Sequence, residues 1–228
     1  MMTITRGQPT KWDAPAYQRG GASDWWDLYA KDHHFLRTRW RNLYQLDDMM
    51  WRSNQPSPRQ IADIAERGIK NIVNLRGARS VGTWQLEAQA CAKHGIRLYD
   101  FTARSRAAPD KAMLHDARDL FASLEGPSLM HCKSGADRAG LMSALYMLVV
   151  KKVPAATALE QLSFKYLHVK QAKTGLLDAF LASFIPYEEK GMGFYEWVDS
   201  VYDPDALQGA FMAKGWANRL VDDILKRE

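Results

Sequence analysis

The sequence predicts an α/β fold, a mainly parallel central sheet flanked by helices, with extra helices at both termini. Three observations carry this reading. Short runs rich in β-branched and aromatic residues, "IKNIVNLRG", "IRLYDF" and "SLMHC", alternate with longer segments at helical spacing, as βαβ units require. Gly68 and Gly95 stand where those helical segments stop. The 228-residue chain, 46% hydrophobic and 25% charged, is long enough and apolar enough to bury a core.

Taken in order, residues 1–22 are rich in Gly, Pro, Thr and Arg and read as a mobile lead-in. Ser23 then offers an N-cap for a helix over 24–38, with acids early and bases late to suit its dipole. "NLYQLDDMMWRS" reads as two short strands around the turn pair Asp47-Asp48, with Pro56 and Pro58 preventing continuation. Ile61, Ile64 and Ala65 line one side of a helix from Pro58 to Arg67. Further helices are expected over 82–94 and 110–124, and after the strand "SLMHC" over 138–151, 155–166 and 172–184, stopping before Pro186. Phe194, Trp197, Val198, Val201 and Tyr202 continue at helical spacing as a packing face. The expected organisation is an N-terminal extension over 1–39, a core domain over 40–186 and a helical C-terminal extension over 187–228 packed on that domain.

Composition narrows the function classes. The formal charge of +5 favours an anionic partner, but no block of five or six like charges appears, so nucleic acid is not expected; small phosphorylated substrates fit the charge equally well. Two cysteines cannot make a disulfide framework, and "MMTITRGQPTKW" lacks the apolar centre of a secretory signal, so a reducing cytoplasm is the expected compartment. The longest apolar stretch, "AGLMSALYMLVV", is too short for a membrane span and reads as a buried helix. The aromatic N-terminal helix with Arg37, Arg39 and Arg41 reads as packed on the core rather than resting on a membrane. His33-His34 has no partner cluster, so neither a metal nor a cofactor is expected.

The chemistry is expected in "SLMHCKSGADRAGLMSALY". Ligands of α/β sheets bind beyond the carboxyl ends of strands, and Cys132 ends one. Lys133, Ser134, Gly135, Ala136 and Asp137 form a short loop before a helix that begins near Arg138, and Gly135 is free to adopt positive φ. Such a loop turns its backbone N–H groups inward as an anion nest at a helix N-terminus, of a size for a tetrahedral phosphate. The same field favours thiolate over thiol and makes Cys132 a nucleophile. Arg138 supplies a planar fork for two phosphoryl oxygens.

His131-Cys132, five residues and Arg138 resemble the signature of the protein tyrosine phosphatases. The spacing, the helix-flanked sheet and the modest size resemble the dual-specificity branch, and "CKSGADRAG" is similar to its bacterial members. The resemblance covers about residues 40–185. It is strengthened by "WRSNQPSPRQIADIAERGIKNIVNLRG", whose Arg-Ser-x-Gln-Pro turn and Asn-Leu-Arg strand end recur in bacterial and inositol-phosphate-type phosphatases.

The resemblance implies a metal-independent phosphomonoesterase that passes through a phosphocysteine, with a phosphorylated protein or small molecule as substrate. It also implies an aspartate acid on a separate loop about thirty residues before the cysteine. Asp100 is the candidate, Asp110 the second and Asp137 the third. The family usually places Ser or Thr after the arginine; Ala139 stands there, so slow intermediate hydrolysis is expected unless Ser134 lends a hydroxyl. Lys133 at the loop's mouth resembles relatives acting on phosphoinositides. Arg104, Arg106, Lys165, His168 and Lys170 are candidates for the same mouth against a reading as ordinary surface residues. Asn74 and Arg76 would brace the loop, and His131 would bond backbone beneath it. Cys91 reads as a core residue, with a backdoor disulfide partner as its alternative. Competing functional readings are a pseudophosphatase binding module, an inositol-phosphate or phospholipid phosphatase, and sulfur or arsenate chemistry on a rhodanese-like loop.

Overall fold

The computed structural model describes residues 9–17, 21–28, 40–79 and 81–213. Five strands form one sheet: β1 Tyr44–Gln45, β2 Met50–Asn54, β3 Asn71–Asn74, β4 Arg97–Asp100 and β5 Ser128–Cys132, in the order β1-β2-β5-β3-β4. Only β1 runs antiparallel, as the first arm of a hairpin whose turn closes where Asp47 accepts the N–H groups of Met49 and Met50 at 2.9 and 2.8 Å. The other neighbours pair in parallel, which puts β5 at the centre with Cys132 beside Asn54.

The helices are α1 Ala22–Trp26, α2 Pro58–Glu66, α3 Gly82–Lys93, α4 Lys111–Ser123, α5 Asp137–Val149, α6 Ala155–Ala158, α7 Leu176–Glu188 and α8 Phe194–Ser200, and residues 204–213 are again helical. Capping explains two of the starts. Ser57 accepts the Gln60 N–H ahead of α2, and Asp110 accepts the Met113 N–H at 2.7 Å ahead of α4.

Three boundaries differ from the sequence expectation. Helix α1 starts from Gly21 rather than Ser23, and residues 29–38 of the expected helix lie outside the described residues. The helix expected over 155–166 breaks after Ala158 into two 3₁₀ turns, Leu159–Gln161 and Phe164–Tyr166. The cause is non-local: Arg52 takes the Gln161 carbonyl at 2.8 Å, which withdraws that acceptor from any continuing helical ladder. Pro186 does not stop α7 but sits in its last turn, where the Glu188 carboxylate accepts the Ala155 N–H at 2.9 Å and fixes the helix end.

Alternation along the strands divides the core in two. Val73, Tyr99, Met130 and Cys132 face α4, α5, α7 and α8. Ile72, Leu98 and Leu129 face α2 and α3. The C-terminal elements belong to the first of these layers. Phe180 and Phe184 of α7 meet Tyr202 and Trp197 at ring centroid distances of 5.1 and 5.3 Å, and the Tyr202 hydroxyl donates to the Pro109 carbonyl at 2.7 Å. Trp197 is the largest fully buried side chain of the core, so Trp197→Ala should destabilise the whole protein by about 3–5 kcal/mol in one cooperative transition. Chemical denaturation followed by both fluorescence and circular dichroism tests this. Two separated transitions would make the C-terminal segment an independent unit.

Candidate active site

The loop after β5 is shaped by what holds its carbonyl oxygens. Arg52, buried in the sheet, donates to the Gly135 carbonyl at 2.7 Å and to the Ala136 carbonyl at 3.2 Å. Its other nitrogen donates to the Gln161 carbonyl and side chain at 2.8 and 3.0 Å, and the guanidinium lies 3.9 Å from the centre of the Tyr166 ring. Burial lowers the Arg52 pKa to about 10, against the pull of nearby Tyr166 and Cys132, so the cation persists at neutral pH. Asn42 donates to both the Ser134 and Tyr166 carbonyls at 3.0 Å. A peptide group points its N–H opposite to its C=O. Drawing the Ser134 carbonyl toward Asn42 therefore turns the Gly135 N–H toward the sulfur side.

The Gly135 N–H makes that contact, 3.3 Å from Cys132 Sγ. Gly135 has φ +76°, and a Cβ there would fall 2.7 Å from the Asn54 nitrogen and from the Ser53 carbonyl carbon. Only glycine permits this approach of loop to strand. Cys132 itself is buried, and Ser134 is exposed with its hydroxyl accepting the Ala136 N–H at 3.4 Å. Ala139 is buried in the core behind the loop. Arg138 opens the first turn of α5, half-buried, and among the described residues no hydrogen bond or ion pair engages its guanidinium.

His168 was a candidate for the mouth or an ordinary surface residue; the structure corrects both. Its side chain is fully buried, with Nδ1 2.7 Å from Asp137 Oδ1 and Nε2 2.6 Å from Asp178 Oδ2. Burial alone would lower its pKa, but the two carboxylates outweigh that and push it up to about 9. Lys165 and Lys170 are exposed, as are Arg104 and Arg106.

On the other face of the sheet lies a second polar chain. His131 Nε2 stands 2.5 Å from Glu87 Oε1, and Glu87 Oε2 accepts from Gln55 Nε2 at 2.7 Å. Gln55 in turn accepts from Arg76, whose backbone N–H donates to Asn74 Oδ1 at 3.0 Å. His131 thus meets a carboxylate, whereas a backbone partner was expected, and its Nδ1 has no hydrogen-bond partner among the described residues. Asn74 and Arg76 brace this layer, Arg76 through Gln55 and Asn74 through Asp100 and the Arg76 N–H.

Asp100 belongs to the same chain. Its carboxylate accepts from Asn74 Nδ2 at 2.7 Å and from Trp84 Nε1 at 3.0 Å; burial raises its pKa and these two bonds oppose the rise. By register Asp100 and His131 both lie opposite Asn74, so Asp100 shares a face with His131 and not with Cys132. Asp110 is committed to capping α4. Cys91 sits in α3 under this same face, its pKa raised by burial and then by Glu87 and Asp100, with the sheet between it and Cys132.

Sequence reasoning gave no site role to Asn42, Glu87 or Asp178, and noted Arg52 only as part of the Arg-Ser-x-Gln-Pro turn. For Arg52 a signal existed. In "MWRSN" it shares the inward side with Met50, so strand periodicity alone places a charge inside the sheet.

The family whose model matches residues 37–175 is described as "DSP-PTPase phosphatase fused to NAD+ Kinase". The dual specificity protein phosphatase TpbA of Pseudomonas aeruginosa is 30% identical over 122 residues, 53% of this chain and 53% of that protein. The chain spans about half the length of the curated relatives it matches. A crystal structure of P. aeruginosa TpbA shares the fold with a TM-score of 0.53 at 23% identity, over 75% of this chain and 90% of that one. A mutant of TpbA in complex with pTyr gives 0.51 at 23%, over 74% and 89%.

The close approach at Gly135 yields a direct test. Gly135→Ala should leave the fold intact with stability lowered by about 1–3 kcal/mol, while tungstate affinity measured by calorimetry falls at least about tenfold. Unchanged tungstate binding would mean that the loop's tight geometry is irrelevant to anions.

Proposed function

The chain belongs to the DSP-PTPase phosphatase family, and we propose that it hydrolyses phosphomonoesters through a phosphocysteine intermediate. The observation that supports this best is the set of carbonyl anchors. Arg52 and Asn42 hold the carbonyls of residues 134–136, and the Gly135 N–H faces Cys132 Sγ, which supports a reading of the loop amides as a cradle for a tetrahedral dianion. Cys132 Sγ attacks phosphorus, an S–P bond forms as the ester P–O bond breaks, and the leaving oxygen takes a proton from solvent water. Water then cleaves the S–P bond, releasing phosphate and regenerating the thiolate. Lys133 to Asp137 supply the cradle, and Arg138 follows the equatorial oxygens through both steps. No hydroxyl follows Arg138, since Ala139 stands there, so the second step is the slower one.

For Asp100 we propose a positioning role, since its carboxylate is held by Asn74 and Trp84 on the far face. The loop "FTARSRAAP" between Asp100 and Asp110 holds no other carboxylate. Substrates whose leaving oxygen departs without strong protonation, such as aryl phosphates, are favoured, in keeping with the pTyr bound by the TpbA mutant. Among the described residues no helix is long and apolar enough to cross a membrane. The chemistry needs Cys132 reduced, which fits a cytoplasmic setting.

Cys132→Ser should lower aryl phosphate hydrolysis by more than about 10³-fold while tungstate binding stays within about threefold. Turnover retained in that variant rules out the mechanism; tungstate binding without turnover in the wild type would instead identify a binding module. Asp100→Asn should reduce the rate by the same factor for good and poor leaving groups. A loss confined to poor leaving groups would restore Asp100 as the acid.

A further inference from the structure

The buried histidine beside the loop is not used by the chemistry above, yet it is tied to it by geometry. His168 bridges two helix starts: Asp137 lies in the first turn of α5 and Asp178 in the first turn of α7. Carboxylates are stabilised at helix N-termini, so each aspartate has a local reason to be ionised. A buried imidazole between two carboxylates satisfies both only as an imidazolium, because the neutral ring has one donor and one acceptor. The two aspartates are the charged groups that meet the ring, one from α5 and one from α7.

The chain around His168 is shaped to aim it inward. Leu167 stands at φ +65°, a conformation rare for residues other than glycine, and is exposed while His168 is buried. The His168 N–H donates to the Ser163 carbonyl at 3.2 Å, and the Tyr166 carbonyl just before it is held by Asn42, which also holds Ser134. On the far side Gly175 packs so closely that a Cβ would fall 1.9 Å from the Lys170 carbonyl oxygen. The segment from 164 to 175 is thereby folded tightly against the start of α7, with the His168 ring on Asp137. A sequence that accepts left-handed backbone at a leucine to bury a histidine points to a requirement on the histidine.

We propose that His168 is a positioning residue of the phosphate-binding loop: in its doubly protonated form it fastens Asp137, and with it the loop end that carries Arg138, to α7. This rests on the reading of the loop as an oxyanion site. The bridge also removes a conflict, since Asp137 lies within the loop and its negative charge would repel a phosphate unless a cation neutralised it. Loss of the imidazolium proton leaves a ring nitrogen lone pair facing a carboxylate, frees one aspartate and returns that repulsion to the loop. The folded-state value of about 9 lies above the roughly 6.5 of an unperturbed histidine. The contribution to stability is therefore complete below about pH 6.5 and lost as pH rises through about 9.

The test uses the full chain and three readouts. The His168 ring titration is followed by NMR, assigned by comparison with His168→Gln. Tungstate, a dianion throughout, is titrated calorimetrically from pH 6.5 to 10 on the wild type, Asp178→Asn and His168→Gln. Aryl phosphate hydrolysis is recorded in parallel. The expected result is a His168 midpoint near 9 with tungstate affinity falling about tenfold through the same midpoint. Asp178→Asn should move both midpoints down together by about one unit or more, and His168→Gln should bind weakly at neutral pH with the step abolished. Cys132 is common to all three proteins, so the difference between them isolates His168. A His168 midpoint at or below the ordinary histidine range, or a tungstate profile in His168→Gln that follows the wild type, overturns the inference. If the variants fail to fold by circular dichroism, coincidence of the two wild-type midpoints supports the inference and their separation overturns it. A tungstate step without hydrolysis would sink the phosphatase reading and leave His168 in place; hydrolysis without the step would do the reverse.

Discussion

The site is organised around a cation that never reaches solvent. Taking a guanidinium out of water costs several kcal/mol, and a single acceptor would not offset that. Arg52 has four oxygen acceptors and the face of Tyr166, and three of those acceptors are main-chain carbonyls from two separate segments. The dependence is mutual: without Arg52 the Gly135, Ala136 and Gln161 carbonyls would lose a charge-assisted partner, each at about 1–3 kcal/mol where burial leaves no substitute. One side chain therefore joins β2, the loop after β5 and the turn ending at Gln161 into a unit. The loop can be short because its geometry is imposed from beneath.

The sheet then separates two kinds of polar chemistry that the sequence sets side by side. His131 and Cys132 are neighbours, but strand alternation sends them to opposite faces. Cys132 meets the loop, Arg52 and the α5 start. His131 meets Glu87, and through it Gln55, Arg76, Asn74 and Asp100. Glu87 is removed from water on that face and Asp100 is half-buried. Desolvation dominates Asp100, Glu87 adds to the rise, and the Asn74 and Trp84 donors hold the carboxylate in place. The effect is to tie the carboxyl ends of β3 and β4 to the strand that carries the nucleophile. This is a support for the site, and it explains why polar residues accumulate at strand ends which otherwise read as apolar.

Much of this was legible in the residues alone. The β-branched runs gave the strands, Asp47-Asp48 gave the hairpin turn, and Gly135 between Cys132 and Arg138 gave the loop and the helix start. What periodicity could not convey is register. Asp100 has the right separation in sequence from Cys132, but its face follows from lying opposite Asn74 in β3, which itself lies opposite His131, a relation between strands that no local pattern records. The break after Ala158 has the same origin, since the residue responsible, Arg52, stands more than a hundred positions earlier. His168 looked like one of several basic residues on a polar segment. Its burial depends on Leu167 adopting a left-handed turn and on Asp178 arriving from α7, and neither is a property of its own neighbourhood.

These two cations solve a problem peculiar to a loop that ends in an aspartate. An anion receptor needs donors in excess, yet every peptide group brings a carbonyl, and Asp137 adds a full negative charge. Arg52 and Asn42 occupy the carbonyls of residues 134–136, and His168 occupies the carboxylate, so the acceptors of the loop are consumed from outside. What faces Cys132 Sγ from the loop is the Gly135 N–H. Histidine suits the lateral position better than lysine or arginine because its two nitrogens, on opposite sides of a rigid ring, hold two carboxylates from two helices at once. The same choice makes that side of the loop titratable while the arginine beneath it stays charged, so alkaline pH should loosen the α5 end of the receptor before it disturbs the anchors under Gly135.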